Sequence, residues 1–443
     1  MDSLSERFQL PVSRPEHVAA VCDLAPVQPG DRATLYVNLA ARQGGDRIDR
    51  LEKRLRYAGD GVFRRELVTG HAGSGKSTEL LRLAGELRQT KVGKSFHVVY
   101  VDANERLGMW NLRLPQIVLA IVGALAEEPR VDLGKTKAAG ALSARLKAIA
   151  GAIGGELAKK VDGIAGIEVL GSAIRASQEL SNQFRDKAAA QMQELLRSAS
   201  DFVAEVARQL ASDVVFIIDN LEKVPEQAIE GDRSLHEVLF VQELPLLDLP
   251  AHLIFTYPIS LNYTAYELTQ RYPASSKTTL PMVSIRESPD DLDRPRADDD
   301  VGIDLLVECL ARRIDIDQLF DERETVRHLV KLSGGCVRDV MRFAGALPVV
   351  NDHPPYDVQA VNRAVADFTS DYERLLGGKD YVAMLPAIAT TGQFTEAFGI
   401  DSKREILLGL VALEYDTATW FDVHPLVKRT RAYRAAERAG RGG

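Results

Sequence analysis

The sequence has few cysteines and no long hydrophobic segment, and each absence excludes a class of protein. Its three cysteines lie far apart in 443 residues, so the sequence predicts neither a disulfide framework nor a zinc site. No uninterrupted apolar run reaches the roughly 18 residues that a membrane-spanning helix needs. The first residues also lack the apolar core of a signal peptide. We therefore expect a soluble, cytoplasmic protein whose cysteines are reduced and buried.

An excess of basic residues is also missing. The chain carries 55 lysines and arginines against 63 aspartates and glutamates, a formal net charge of −8. This balance argues against general coating of nucleic acid but is compatible with a local basic patch. Because 45% of the residues are hydrophobic and 27% are charged, the chain has enough apolar material for about two or three cores. A multidomain enzyme or switch is expected.

A glycine-rich motif is the most informative segment that the sequence does contain. It matches the full phosphate-binding loop pattern and reads Gly70-His71-Ala72-Gly73-Ser74-Gly75-Lys76-Ser77, followed by Thr78. An apolar, β-branched segment at 66–69 precedes the motif, and leucines at helical spacing follow it. Strand, turn and helix therefore occur in the order that a nucleoside triphosphate site requires.

Each residue type in this loop has a role in binding phosphate. Glycines at 70, 73 and 75 let the backbone N–H groups turn toward the β-phosphate, and the start of the helix adds its dipole. Lys76 is expected to reach the β- and γ-phosphate oxygens, and the Ser77 hydroxyl is expected to bind Mg²⁺. We assign residues 70–78 to nucleotide binding, with ATP and Mg²⁺ as cofactors.

A second nucleotide-site motif is an apolar run that ends in a carboxylate. Residues 214–219 read Val-Val-Phe-Ile-Ile-Asp and predict a buried strand that delivers Asp219 toward the magnesium, usually through a coordinated water. A core strand with a capping aspartate would look the same in isolation. The next carboxylate, Glu222, is the candidate for orienting or deprotonating the attacking water. Its alternative role is to cap the following segment.

Two further residues are candidates for reading the γ-phosphate. Residues 253–256 predict a strand that ends at Thr256, whose hydroxyl suits contact with the attacking water or the γ-phosphate, although threonine at a strand end is also a turn former. Ser333-Gly334-Gly335 predicts a helix stop, with Arg338 in the first turn of the next helix. An arginine on a helical lid can report loss of the γ-phosphate as a lid movement. The alternative is a surface arginine paired near Asp339.

The fold class that we predict is α/β: a three-layer P-loop NTPase domain with a mostly parallel sheet, followed by a helical lid and a winged-helix domain. The expected regions are an N-terminal region over 1–59, the ATPase domain over 60–290, the lid over 301–370 and a winged-helix-like domain with a basic tail over 371–443. The ATPase domain includes an Ala/Gly-rich helical insertion at about 127–212, with one apolar stripe along a helix from Leu142 to Ile164. Further strands are expected at 96–101 and 279–285.

These motifs together resemble the AAA+ branch of P-loop ATPases, in particular its STAND signalling members and the origin-recognition-like ATPases. The resemblance is carried by the phosphate loop, Asp219-Asn220-Leu221-Glu222, Thr256 and the Ser-Gly-Gly-x-x-Arg segment that ends at Arg338. Many AAA+ ATPases have a glutamate directly after the magnesium aspartate, whereas this chain has Asn220, and the departure implies slow turnover. By the same resemblance, Arg271 occupies the approximate place of an arginine finger.

The last segment is similar to a winged helix. Predicted helices at 381–388 and 402–413 lead into a hairpin over 413–423. By resemblance, His424 corresponds to the histidine with which STAND winged helices sense the nucleotide, and ADP would hold a compact form while ATP would hold an open or assembling one. The alternative is a histidine packed at a strand end.

Three functions are compatible with these residues. The first is an ATP-dependent switch or assembly ATPase of bacterial-type signalling or defence, which forms homo-oligomers or binds a protein partner in its ATP state. The second is an ATP-dependent DNA loader, in which the winged helix and a basic tail contact phosphates. That tail comprises Lys428, Arg429, Arg431, Arg434, Arg438 and Arg441. The third is a structural adaptor that is stabilised by bound nucleotide and carries out no useful hydrolysis. The tail is equally compatible with a helix face that arginines make soluble.

Overall fold

The computed structural model describes residues 3–161, 163, 165–228, 234–263, 268–272, 274–288, 296–415 and 420–441. The chain divides into two compact units. The sheet unit comprises residues 48–69 and 82–278, and the lid unit comprises residues 1–47, 70–81 and 279–443. The phosphate loop therefore belongs to the lid unit.

Five strands form one sheet: β1 (Arg65–Thr69), β2 (His97–Asp102), β3 (Val214–Asp219), β4 (His252–Thr256) and β5 (Ser275–Thr279). Their order across the sheet is β2-β3-β4-β1-β5, and the pairs β2–β3, β3–β4 and β4–β1 are parallel. The strands β1, β3 and β4 are buried at every position. Burial on both faces explains the continuous apolar run of β3, and the sheet confirms the predicted fold class.

Helices cover the sheet and form the predicted insertion. They are Arg47–Arg56, Lys76–Arg88, Ala103–Arg106, Leu114–Ala126, Lys137–Ile153, Gly155–Lys160, Ala165–Ala176, Gln178–Ala189, Met192–Leu210 and Leu235–Glu237. No helix in the described part of the chain is both long enough and apolar enough to cross a membrane.

The prediction of one continuous helix from Leu142 to Ile164 is wrong. Gly154 has an extended backbone, with φ −177° and ψ 140°, and separates helix Lys137–Ile153 from helix Gly155–Lys160. Two adjacent glycines explain the break because glycine loses more backbone entropy in a helix than other residues. Leu142 is buried as the stripe predicts, and Ile164 lies outside the described residues.

The predicted strand at 279–285 is also wrong, because β5 ends at Thr279. Pro281 has no N–H group to contribute to a ladder. Beyond it, the Met282 N–H donates to the Glu414 carbonyl at 3.0 Å, and the Val283 N–H donates to the Gly335 carbonyl at 3.3 Å. This segment therefore packs within the lid unit.

The lid unit consists of helices and one hairpin, formed by β6 (Ala412–Tyr415) and β7 (Trp420–Val423). Its helices are Leu4–Arg7, Pro15–Val21, Arg32–Leu35, Asp300–Ala311, Ile316–Leu319, Arg323–Leu332, Val337–Val350, Val358–Ala364, Ala366–Leu376, Leu385–Thr391, Ile400–Leu408, Pro425–Arg429 and Arg431–Arg441. Helices followed by a hairpin confirm the helical lid and the winged helix. The helix predicted to reach residue 413 ends at Leu408, since Leu410 has a positive φ of 55°. The turn at 416–419 lies outside the described residues.

One hydrophobic core joins the N-terminal helices to the lid. Val18 and Val21 pack with Leu306, Phe343 and Leu426 in a single buried cluster. The three cysteines are free and buried, as predicted.

Candidate functional site

The phosphate loop follows β1 in the chain, and its glycines have the backbone conformation that the motif predicts. Gly70, Gly73 and Gly75 have φ angles of 152°, 89° and 93°, a region that a Cβ atom makes costly. A Cβ on Gly73 would lie 2.5 Å from Cys336 Sγ and 2.7 Å from Arg338 Cβ. Glycine is therefore required at position 73 both by its dihedral angle and by the lid residues beside it.

Lys76 lies inside the curve of this loop. Its side chain is buried, and Nζ donates to the carbonyls of Gly70 at 3.0 Å and His71 at 3.1 Å. The backbone of the loop thus holds the ammonium group of Lys76 through two of its carbonyls.

Residues of the N-terminal region form hydrogen bonds with the loop. No sequence motif indicated these contacts. The Thr78 hydroxyl accepts a hydrogen bond from the Val27 N–H at 3.1 Å, and Gln43 Nε2 donates to the Ser74 carbonyl at 2.9 Å. The only signal available in the sequence was the apolar spacing that buries Val18 and Val21 in the same unit.

Arg338 lies against the loop in the first turn of helix Val337–Val350. It is half-buried, and its side chain forms no ion pair or hydrogen bond with the residues that the structure describes. Asp339, the alternative partner considered from the sequence, instead contacts Arg342 at 3.2 Å and His424 at 3.2 Å. The Cβ of Arg338 thus lies beside Gly73 of the phosphate loop, and no carboxylate among the described residues pairs with its guanidinium.

His71, the second loop residue, contacts the winged helix. It is 1% exposed, and its Nε2 accepts a hydrogen bond from the Glu414 N–H in β6 at 2.8 Å. The imidazole is therefore neutral, with its proton on Nδ1. Burial, followed by the charge of Lys76, lowers the pKa of His71 to about 3. In the lid, the Cys336 thiol donates to the Ala72 carbonyl at 3.7 Å. Together with the bond between His71 and Glu414, this means that the loop contacts both the lid and the winged helix.

His424 uses both of its ring nitrogens within the lid unit. Nδ1 accepts from the Leu426 N–H at 3.1 Å, which places the proton on Nε2, and Nε2 donates to Asp339 at 3.2 Å. These hydrogen bonds connect the winged helix to the lid. The role of His424 in sensing nucleotide stays a prediction.

Three neighbouring strands of the sheet unit end in polar residues. Thr69, Asp219 and Thr256 are the last residues of β1, β3 and β4, and in the register of the sheet Val68 pairs with Thr256. Parallel strands bring their carboxyl ends to one edge, and ligands of α/β sheets bind at that edge. The sheet thus collects two predicted site residues, Asp219 and Thr256, at its carboxyl edge.

Asp219 is fully buried and held by two donors. Its Oδ1 accepts from the Asn220 N–H at 2.7 Å, and its Oδ2 accepts from the Tyr100 hydroxyl at 2.6 Å. Burial and the nearby Asp219 carboxylate raise the pKa of Tyr100 far above its ordinary value, so the phenol remains a donor. Sequence reasoning missed Tyr100, because an isolated tyrosine in a strand carries no motif.

The turn after Asp219 explains why asparagine follows it. Asn220 has a φ of 67°, and asparagine tolerates this left-handed conformation better than most residues. Glu222 is half-buried in the 3₁₀ turn Leu221–Lys223 that follows. The buried Thr256 hydroxyl accepts from the Leu221 N–H at 3.0 Å. Thr256 thus supports the turn that carries Glu222, and a sensor role for it stays a prediction.

No group of three or more His, Cys, Asp or Glu side chains among the described residues could hold a metal ion. Magnesium is commonly bound by one or two protein oxygens together with substrate phosphates and waters. A single buried carboxylate, Asp219, therefore fits a magnesium ion that arrives with a nucleotide, and Ser77 is the other predicted ligand. Arg271, the suggested finger, is exposed.

The basic tail divides into two sets. Lys428 pairs with Asp422 at 2.6 Å, and Arg429 donates to Asn362 at 3.0 Å, so both are used within the lid unit. The other described arginines, Arg431, Arg434 and Arg438, are exposed on the last helix. Their spacing of three and four residues places them on one face.

No protein-family model and no curated protein matches this sequence. Solved structures that are similar include a Walker-type ATPase of Pyrococcus abyssi, with 14% identity, 94% of this chain and 99% of that chain covered, and a TM-score of 0.46. The Aeropyrum pernix ORC2 protein, in ADPNP–ADP complexes, shares 11% identity over 96% of this chain and 98% of its own, with a TM-score of 0.41. Drosophila ORC bound to DNA shares 13% identity over 93% and 83%, with a TM-score of 0.38. The roles of individual residues are therefore assigned from the contacts of this chain alone.

Proposed function

We propose that this protein is an AAA+/STAND-like molecular switch that binds ATP, hydrolyses it slowly and couples its nucleotide state to self-assembly or to binding of a protein partner. The observation that carries the proposal is that one phosphate loop touches both the lid, where Gly73 meets Arg338, and the winged helix, where His71 meets Glu414. A ligand that binds one arrangement of this loop with higher affinity than another shifts both contacts together. Bacterial signalling or defence is the setting that the STAND-like traits favour.

Binding of ATP is assigned to the loop and to the end of β3. Lys76 exchanges its backbone carbonyl partners for phosphate oxygens, which are stronger acceptors because they are charged. Ser77 and Asp219 hold the magnesium ion, which neutralises phosphate charge when it is bound.

Hydrolysis and readout are assigned to three other side chains. Glu222 orients the attacking water, and Thr256 and Arg338 respond to the γ-phosphate. Arg338 is best supported, because its Cβ lies beside Gly73 of the loop and its guanidinium has no carboxylate partner among the described residues.

The test is light scattering after size exclusion with ADP, ATP and a slowly hydrolysed analogue, together with nucleotide affinities by calorimetry. We expect larger assemblies with the triphosphates than with ADP, and no ATP binding in the Lys76→Ala variant. Glu222→Gln should bind ATP normally and hydrolyse it more slowly. A wild-type protein that binds no nucleotide, or a Lys76→Ala variant that binds it normally, would overturn the site.

A DNA loader is the second candidate, favoured by the arginine face of the last helix. Arg431, Arg434 and Arg438 are exposed there and have the spacing to contact a phosphate backbone. Replacing all three by alanine should reduce the slope of log affinity against log salt by about 3, because each lost phosphate contact contributes about 0.9. The matched control replaces three exposed arginines elsewhere, Arg50, Arg208 and Arg323, and so changes the net charge equally. Equal effects of the two triple variants would exclude the tail as the DNA contact.

A further inference from the structure

The carboxylate at the end of β3 is held by a tyrosine from the neighbouring strand. Tyr100 lies in β2 two residues before Asp102, and Asp102 is the register partner of Asp219. The Tyr100 hydroxyl donates to Asp219 Oδ2 at 2.6 Å, while the Asn220 N–H donates to Oδ1 at 2.7 Å. At least one donor contacts each oxygen of this carboxylate, which has no exposed surface, and these contacts restrict its rotation.

A buried tyrosine needs an acceptor, but that acceptor is usually part of the backbone or water. Tyr272 in the same unit shows the ordinary case, since its hydroxyl donates to the Phe240 carbonyl. Tyr100 is paired instead with the carboxylate that ends β3. The Tyr100 hydroxyl thus donates its hydrogen bond to the acidic side chain that the proposed function assigns to magnesium binding.

We propose that Tyr100 is a positioning residue of the magnesium site, which holds Asp219 in the orientation that receives a magnesium-bound water. This inference rests on the proposed function. A carboxylate oxygen has about two lone-pair positions, so an oxygen that accepts from a tyrosine can also accept from a coordinated water. Donors behind a metal-binding carboxylate typically change metal affinity by roughly 10- to 100-fold when they are removed.

The test is a Mg²⁺ titration of nucleotide binding with the 443-residue protein and its Tyr100→Phe variant, using a fluorescent ADP analogue. We expect the variant to need roughly tenfold more Mg²⁺ or more for half-maximal binding, with wild-type affinity for the nucleotide in EDTA. Tyr272→Phe is the matched control, because it removes one buried hydroxyl from the same unit and should leave the Mg²⁺ midpoint unchanged. In an Asp219→Asn background, Tyr100→Phe should have no further effect.

An unchanged or lower Mg²⁺ midpoint in Tyr100→Phe would overturn the inference while leaving the proposed function intact. Absence of nucleotide binding in the wild-type protein would overturn the proposed function and this inference with it. Circular dichroism checks that each variant is folded. If Tyr100→Phe is not, Tyr100→Met removes the same hydroxyl with a flexible side chain that fills the space, and the same shift is expected.

Discussion

The imidazole of His71 in the phosphate loop accepts a hydrogen bond from the Glu414 N–H in β6 of the winged helix, at 2.8 Å. The carbonyl of the same residue, Glu414, accepts from the Met282 N–H at 3.0 Å. One position of the hairpin is thus bonded to the phosphate loop on one side and to the segment after β5 on the other. Because Nε2 must be an acceptor, the contact exists only while the imidazole is neutral.

Substitution of His71 by alanine should destabilise the lid unit by about 1–3 kcal/mol, because the buried Glu414 N–H loses its acceptor. The chain has two tryptophans, so a Trp110→Phe background leaves Trp420 as the fluorescence reporter of this unit during urea unfolding. His353→Ala, at an exposed histidine, is the control and should change little. Equal stability of the two variants would show that the contact contributes nothing.

The stability of the lid unit should fall as the pH falls below about 6.5. Burial and Lys76 lower the folded-state pKa of His71 to about 3. Between that value and the unfolded-state pKa, His71 binds a proton in the unfolded chain but not in the folded chain. The free energy of unfolding is at its full value above about pH 6.5 and decreases by roughly 1.4 kcal/mol per pH unit toward pH 3. The loss at pH 5 is therefore about 2 kcal/mol. His71→Gln, followed by Trp420 fluorescence at pH 7 and pH 5, should lose about this much of the pH dependence. The same dependence in both proteins would contradict the assigned shift.

Alanine should be tolerated less well at position 73 than at position 75. Both glycines have positive φ, 89° and 93°, so both variants carry a dihedral cost of about 1–2 kcal/mol. Only at Gly73 would the new Cβ also collide, at 2.5 Å from Cys336 Sγ, whereas no heavy atom lies within 4 Å at Gly75. The Gly73→Ala variant should therefore unfold at a lower urea concentration than Gly75→Ala, and equal midpoints would argue against this packing.

Removal of the Arg338 side chain should weaken ATP binding more than ADP binding. A hydrogen bond between charged groups contributes about 1.5–3 kcal/mol, so Arg338→Ala should lose roughly 10- to 150-fold in ATP affinity with little change for ADP. Arg342→Ala is the control on the same helix, since Arg342 pairs with Asp339 and lies 4.5 Å from the Phe368 ring centre. Equal losses for both nucleotides in Arg338→Ala would remove it from γ-phosphate readout.

Local patterns predicted the elements whose residues are adjacent in the chain. The run at 214–219 became β3, and the helix stop at Gly334 and Gly335 occurs with φ of 63° and 85°, because strand burial and left-handed turns depend on neighbouring residues. Where the periodicity was followed across Gly154 and Pro281 it failed, since a helix interior disfavours adjacent glycines and a ladder needs an N–H.

The sequence by itself determined the phosphate loop, the carboxylate at the end of a buried strand and the α/β class, because each depends on residue types at short spacings. Only the tertiary structure decided which donors and acceptors meet. Tyr100 and Asp219 are separated by 119 residues, and His71 and Glu414 by 343. Such partners are chosen by the register of neighbouring strands and by the packing of the winged helix on the loop. Neither leaves a periodic signal in the chain, because a single polar side chain looks the same in sequence whichever distant group it will contact.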